Sequence, residues 1–360
     1  MALVVPASKD REAAAPDIPG LVLSSATMAL LVFTVIEAPA YGWGTGRSLT
    51  GFAASAVLLA AFIVRERRAA HPMLDVRLFR NMRFSAASGA VTVSFFTLFG
   101  FIFLMTQYFQ FVRGYGPLST GVHLLPVALA VGAGSVAGTQ LAVRAGTKLV
   151  VTTGLVAMAV FYGWVAVTTS ATLSYAVIAA QMVLYGLGLG LTSAPATESI
   201  MGAISRRKAG VGSAVNDSTR LVGGTLGVAV IGSVYASVYG SRLTATMPAS
   251  VPGRAAAIAH QSVGAAYAAA GKIAALGHPA LGQALQHAST SAFLRGLTVG
   301  CLVAGGVAAA GALLAVRFLP AQPAQPVQLA RPAGPTADDA ETAEGAHEAE
   351  TPVHPAPAVR

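Results

Sequence analysis

The sequence has few charged residues. Only 10% of its 360 residues are Asp, Glu, Lys or Arg, whereas 54% are hydrophobic, and an average soluble domain carries about 25% charged residues. A soluble protein of this size would leave much of that apolar surface facing water, which is unfavourable. The composition therefore excludes an ordinary soluble domain and indicates a protein whose solvent is the lipid bilayer.

Cysteine is almost absent as well, since Cys301 is the single one in the chain. One thiol excludes a disulfide framework and a cluster of cysteine ligands for a metal. The sequence also has no HExxH motif, no phosphate-binding glycine loop and no nucleophile elbow. We therefore expect no enzyme, no cofactor and no metal site.

Long apolar runs fill the chain instead. A membrane-spanning helix needs roughly 20 apolar residues, and eight runs come close to this length or exceed it. The sequence therefore predicts an all-α integral membrane protein with about eight transmembrane helices. The runs cover approximately residues 21–38, 49–64, 84–109, 118–142, 149–168, 174–194, 212–238 and 294–316.

The basic residues predict the orientation of these spans. Lysine and arginine collect before the first run, in every second loop and after the last run, and such residues are enriched on the cytoplasmic side. We therefore expect a cell-membrane protein with both termini cytoplasmic, formed by a segment at 1–20 and a disordered tail at 319–360. The net charge of +9 is spread over short groups in loops, which does not indicate a nucleic-acid partner.

Three stretches of the sequence resemble a known family. They are "HPMLDVRLFRNMRFS", "QYFQFVRGYGPLSTGVHLLPVALAVGAG" and "VGSAVNDSTRLVGGTLGVAVIGSVY". They resemble the second part of the fourteen-span drug:proton antiporters of the major facilitator superfamily, in which two additional spans join two six-helix bundles. The resemblance covers about residues 1–318. It implies two linking helices within 21–64 and one six-helix bundle over 84–318, with an outer loop at 239–293.

The resemblance implies proton-coupled efflux of small amphipathic compounds, with membrane lipid, the exported compound and protons as partners. The family's first six spans are absent from this sequence. A second interpretation therefore stays open. The chain would be a non-transporting remnant, or a half that works only beside the missing N-terminal half or a second copy, because a transport site of this type forms between two bundles.

Polar residues interrupt the seventh apolar run at Asn216, Asp217 and Arg220. A charge inside the membrane costs on the order of 3 kcal/mol on insertion scales, so these side chains are expected to face protein or water. Asp217 and Arg220 are three residues apart and can share one helix face. They form either a proton-exchange or gating element, or a static ion pair. Glu198, late in the sixth span and just after its apolar run, is either a further proton site or one end of a salt bridge to the basic loop at 206–208.

A tight basic turn is predicted in "GTQLAVRAGTKLVVTTG". Arg144, Gly146 and Lys148 resemble a degenerate form of the family's cytoplasmic loop motif, although Val143 occupies its acidic position. The alternative is a plain basic loop that only sets the orientation of the spans.

A substrate-lining surface is predicted in the third, fourth and sixth spans, where soft, aromatic and hydrogen-bonding side chains mix. Such surfaces can repack around varied amphipathic molecules, although aromatic residues near a membrane boundary also serve as anchors. The candidates are Met105, Gln107, Tyr108, Gln110, Gln181 and Tyr185.

Two further patterns concern packing. An Ala-rich stretch within the outer loop, at 255–277, predicts an amphipathic helix on the membrane surface. Glycines four residues apart predict close contact between helices, either static or as a sliding surface, because small residues let backbones approach in lipid. These pairs are Gly134 and Gly138, Gly223 and Gly227, and Gly296 and Gly300.

Overall fold

The computed structural model describes residues 17–69, 74, 76–204 and 209–321. Within these ranges every regular element is helical, and eight helical segments are long and apolar enough to cross a membrane. This confirms the all-α membrane fold and the expected number of spans. The tail predicted at 319–360 and the segment predicted at 1–20 lie almost entirely outside the described residues.

The eleven α-helices follow one another along the chain. They are α1 (Ile18–Tyr41), α2 (Gly46–Arg68), α3 (Met82–Gln107), α4 (Pro117–His123), α5 (Leu125–Ala145), α6 (Thr147–Thr168), α7 (Tyr175–Gly202), α8 (Ala209–Thr246), α9 (Gly253–Gln261), α10 (Val263–Ala275) and α11 (Pro279–Phe318). A short 3-10 helix, Val76–Arg80, precedes α3, and a π-helix, Tyr108–Val112, continues it. The fourth span combines α4 and α5, which are separated at Leu124.

The first two spans form a hairpin that packs on the seventh span, α8. The hydroxyl of Ser233 in α8 donates a hydrogen bond of 2.6 Å to the carbonyl oxygen of Val35 in α1. At the other end of the hairpin, Arg65 pairs with Asp17 at 3.0 Å, and Asp17 also caps α1 by accepting from the backbone N–H of Gly20. The first contact joins the hairpin to the bundle, and the ion pair joins the start of α1 to the end of α2.

Glycines bring the helices of the bundle close together, as the sequence predicts. The α5–α7 contact places Gly134 and Gly138 against the backbone of residues 187–191. The α3–α8 contact places Gly223 and Gly227 against the backbones of Thr92 and Phe96. Helices in lipid associate mainly through such van der Waals contact over small residues.

The segment at 239–293 differs from the expected loop. The spans α8 and α11 extend to Thr246 and from Pro279, well beyond the apolar runs, and α9 and α10 lie between them. The Ala-rich stretch forms two helices because Ser262 is extended and caps α10 by accepting from the N–H of Ala265. The apolar side of α10, including Val263, is buried. Alanine side chains are small enough for α10 to pack closely on α11 instead of lying alone on the membrane surface.

Candidate transport site

Arg220 is the centre of a polar cluster between three spans. It lies about 16 Å along α8 from the first residue of that helix, at 1.5 Å per residue. Its Nη2 donates to the hydroxyl of Thr197 in α7 at 3.1 Å, and its guanidinium lies 5.1 Å from the centre of the Phe95 ring in α3. The hydroxyl of Thr197 donates in turn to Oδ1 of buried Asn216 at 3.3 Å. The structure therefore brings together two of the predicted residues, Asn216 and Arg220.

Asp217 stands apart from this cluster. Its side chain is exposed, and the single ion pair among the residues with described positions joins Asp17 to Arg65. The static ion pair between Asp217 and Arg220, one of the two interpretations that the sequence left open, is therefore not formed. The physical reason is that Thr197 and the Phe95 ring, on two neighbouring helices, hold the guanidinium on the packed side of α8, while Asp217 lies on its open side.

Glu198 lies in the last two turns of α7 and is half-buried. The basic residues predicted to pair with it, at 206–208, fall outside the described residues. Next to it, Ser199 is buried and accepts a hydrogen bond of 3.0 Å from Nε of Arg83. The structure therefore places Glu198 at the α7 end near the Arg220 cluster, since Thr197 is its direct neighbour.

The predicted basic turn joins α5 to α6. Gly146 is the only residue between the two helices and has a φ of +89°, a value that residues with a side chain rarely adopt. A Cβ at this position would also collide with the carbonyl oxygen of Ala321, just after the last span. Arg144 is exposed and Lys148 is half-buried on either side of the turn. Gly146 therefore allows the tight turn and its close packing on Ala321, while the side chains of Arg144 and Lys148 remain accessible.

Three of the predicted substrate-lining residues meet at a small cavity. Met105, Tyr108 and Gln181 line a space of about 20 Å³, together with residues of α6 and its following loop. The hydroxyl of Tyr108 donates to the carbonyl oxygen of Ser170 at 2.8 Å, and the amide of Gln181 donates to the hydroxyl of Thr168 at 2.8 Å. A cavity of this size holds about one water molecule, so it is not itself a drug-sized site.

The other three candidates lie elsewhere. Tyr185 is fully buried in the bundle core, where its ring stacks on Phe101 at 4.9 Å and its hydroxyl donates to Thr97 at 3.2 Å. Gln107 donates weakly to the carbonyl oxygen of Phe103 within its own helix, and Gln110 is half-buried in the π-helix. The structure therefore does not gather the six residues on one surface.

A larger groove lies between the two helices of the hairpin. Its volume is about 340 Å³, and Thr34, Glu37 and Arg47 are among the residues that line it. The guanidinium of Arg47 lies 3.8 Å from the centre of the Tyr41 ring at its outer end. None of the residues that the sequence singled out for transport lines this groove.

Sequence reasoning missed the residues that position the C-terminal end of the third span. The π-helix, a feature often found at functional sites, is followed by Arg113, which donates to the carbonyl oxygens of Ala171 and Leu173 at 3.3 and 2.9 Å. A hydrogen bond to the hydroxyl of Tyr115 raises the pKa of Arg113. No spacing in the sequence signals these contacts, because they join segments about 60 residues apart.

Comparison with known proteins identifies the relatives of this chain. No model of a known protein family matches it. It is 33% identical over 325 residues to the tetracenomycin C resistance and export protein of Streptomyces glaucescens, covering 88% of this chain and 59% of that protein. It is 33% identical over 236 residues to the multidrug resistance protein Stp of Mycobacterium tuberculosis, covering 66% of this chain and 44% of Stp. It is 32% identical over 267 residues to the multidrug efflux pump LfrA of Mycolicibacterium smegmatis, covering 74% of this chain and 52% of LfrA.

The chain thus spans about half the length of the curated relatives that it matches. Those relatives are named as resistance, efflux and export proteins, and the eight apolar spans agree with a transporter rather than a soluble protein. Over the region that it covers, the chain belongs to the multidrug and antibiotic efflux proteins of the major facilitator, drug:proton antiporter type.

Proposed function

We propose that this chain supplies one wall of a proton-coupled exporter of small amphipathic compounds. The proposal rests on the exposed carboxylate of Asp217. This residue lies on a membrane-spanning helix and forms no ion pair with Arg220. A carboxylate inside a membrane span is energetically costly, and ionisable residues at such positions typically mark substrate pathways or proton relays. The names of the relatives support export as the function.

In this proposal Asp217 exchanges the proton and the Arg220 cluster holds α8 against α7 and α3. Loss of the proton leaves a negative charge on the open side of α8, while protonation removes it. The relative free energies of the inward-facing and outward-facing conformations then differ between protonated and deprotonated Asp217. Alternating access requires such a difference. Glu198 in α7 is the second acid that we propose for proton exchange.

The partner in this proposal is a second bundle. An exporter of this family binds its substrate between two bundles near the middle of the membrane, and this chain contributes six spans after its hairpin. We propose that the open face carrying Asp217 receives the other bundle. We further propose that the protein lies in the cell membrane with both termini in the cytoplasm, as the distribution of basic residues predicts.

The experiment is an export assay on the chain with and without a second bundle. Everted membrane vesicles would contain the chain alone, the chain together with the first six spans of the tetracenomycin C resistance and export protein, or those six spans alone. The proposal expects proton-driven uptake of an amphipathic dye, abolished by a protonophore, when both parts are present. Absence of uptake in the combined sample would favour the alternative of a non-transporting remnant.

Reporter fusions test the proposed orientation separately. Alkaline phosphatase, which is active only outside the cytoplasm, would be fused after Met1 and after Arg360 and also within the α9–α10 segment. The proposal expects activity only for the fusion between α9 and α10. Activity at one terminus and not at the other would contradict an even number of spans.

A further inference from the structure

Arg220 holds its positive charge among neutral groups. Its described neighbours are a hydroxyl, an aromatic ring and, through the hydroxyl, an amide. Its Nε is buried and has no hydrogen-bond partner. Within residues 17–69, 74, 76–204 and 209–321, no carboxylate forms an ion pair with it. A buried N–H of a charged group without an acceptor is unfavourable, so Nε of Arg220 lacks an acceptor among the described residues.

Arg113 shows that this fold can satisfy an arginine without an anion. Two carbonyl oxygens and one hydroxyl accept hydrogen bonds from its guanidinium at the C-terminal end of α3. Around Arg220 no described carbonyl oxygen accepts a hydrogen bond from Nε. The guanidinium therefore keeps donor capacity that the described residues do not use.

An apolar surface continues from the Arg220 guanidinium along α3 and α8. Phe95 lies under the guanidinium, and Phe99 follows one turn later on the same helix with 40% of its surface exposed. Gly224, one turn after Arg220, leaves room for the Phe99 ring, since a Cβ there would lie 2.9 Å from it. The Arg220 guanidinium thus lies at one end of an accessible aromatic surface formed by Phe95 and Phe99.

We propose that Arg220, Phe95 and Phe99 form a recognition site for an amphiphilic organic acid, whose oxyanion binds the guanidinium and whose apolar part lies on Phe99. The planar guanidinium offers parallel N–H donors that match a carboxylate or similar oxyanion. Thr197 and the Phe95 ring fix its plane in advance, which lowers the entropy lost on binding. This inference rests on the proposed function and names a substrate class for it. The phosphate of an anionic lipid shares the oxyanion chemistry, and the experiment separates the two sources.

The test measures equilibrium binding to the purified full chain in nanodiscs of phosphatidylcholine. The probes are dansyl-aminoundecanoic acid and its methyl ester, followed by dansyl fluorescence. The inference expects Arg220→Gln to weaken binding of the acid by about tenfold, while the ester binds the variant and the wild type alike. Arg83→Gln is the matched control, because Arg83 is also a half-buried arginine hydrogen-bonded to a hydroxyl of α7. This control is expected to change acid binding by less than about twofold.

Arg220→Lys keeps the charge and provides a second variant if the glutamine variant does not elute as a single species. It is expected to weaken acid binding by about threefold, because an ammonium lacks the planar donor pair. Unchanged acid binding in the folded variants of Arg220, or an equal loss in Arg83→Gln, would overturn the inference. Displacement of the acid from the wild type by phosphatidylglycerol in the nanodisc would assign the site to lipid and overturn it as well. Binding needs neither a proton gradient nor a second bundle, so failure here is distinguishable from failure of export.

Discussion

The hydroxyl of Ser233 reaches from α8 to the carbonyl oxygen of Val35 in α1 at 2.6 Å, and Ser233 is buried. This bond joins the first hairpin to the seventh span, and a second one joins the indole N–H of Trp43 to Ser237 at 3.3 Å. The hairpin is therefore attached along the same helix that carries Asn216, Asp217 and Arg220.

Replacing Ser233 by alanine is expected to loosen this attachment. An interhelical hydrogen bond in a membrane protein contributes about 1 kcal/mol, and the carbonyl oxygen of Val35 would lose its second donor. The measurement is unfolding of the purified chain by increasing the SDS fraction of mixed micelles. Ser241→Ala is the control, because the hydroxyl of Ser241 is exposed and bonds only within α8. Equal stability of the two variants would show that the Ser233 bond does not contribute.

Gly227 is expected to tolerate no side chain. A Cβ at this position would collide with the carbonyl oxygen of Phe96, which belongs to the backbone of α3 and cannot move without separating the helices. Gly227→Ala should therefore destabilise the α3–α8 contact by about 2 kcal/mol, measured by the same unfolding assay.

The matched control for that glycine is Gly240, which lies in the same helix with open space around its Cα. Gly240→Ala is expected to be neutral or to stabilise the chain by about 0.5–1 kcal/mol, because alanine favours the helix over glycine. Comparable losses in both variants would mean that close packing at Gly227 is not the reason for the effect.

The residues at the small cavity are expected to respond differently from Tyr185. Tyr108→Phe removes a hydrogen bond to the loop after α6, and Gln181→Leu removes one to the end of α6. Each should therefore weaken binding of a neutral amphipathic dye by about threefold if these side chains line the substrate surface. Tyr185→Phe should lower stability without changing dye affinity, because its ring is fully buried. Dye affinity that is unchanged in the first two variants would remove them from the substrate surface.

Apolar run length was sufficient to predict the spans, because each hydrophobic segment needs a helix that satisfies its own backbone hydrogen bonds in lipid. It was not sufficient at the C-terminal end of α8 and the N-terminal end of α11. There the residues are small and partly polar, and contacts with α9 and α10, rather than lipid, keep them helical.

The side-chain geometry of the site depends on neighbours that are distant in sequence. The spacing of Asp217 and Arg220 permits a shared face, but Thr197 and Phe95 decide where the guanidinium lies. Both belong to other spans, more than 20 residues away, and nothing in the local pattern identifies them. The sequence therefore identified the helix with the polar cluster and two of the cluster's residues, Asn216 and Arg220, but not their partners on other helices.

The most direct test of the account concerns Asp217 in the combined preparation of this chain and a first bundle. Proteoliposomes would be assayed for dye uptake driven by a pH gradient and, separately, for exchange of dye across the membrane without a gradient. In the Asp217→Asn variant, which keeps the size of the side chain but binds no proton, we expect gradient-driven uptake to fall to background while exchange continues. Gradient-driven uptake at the wild-type rate in this variant would contradict the account.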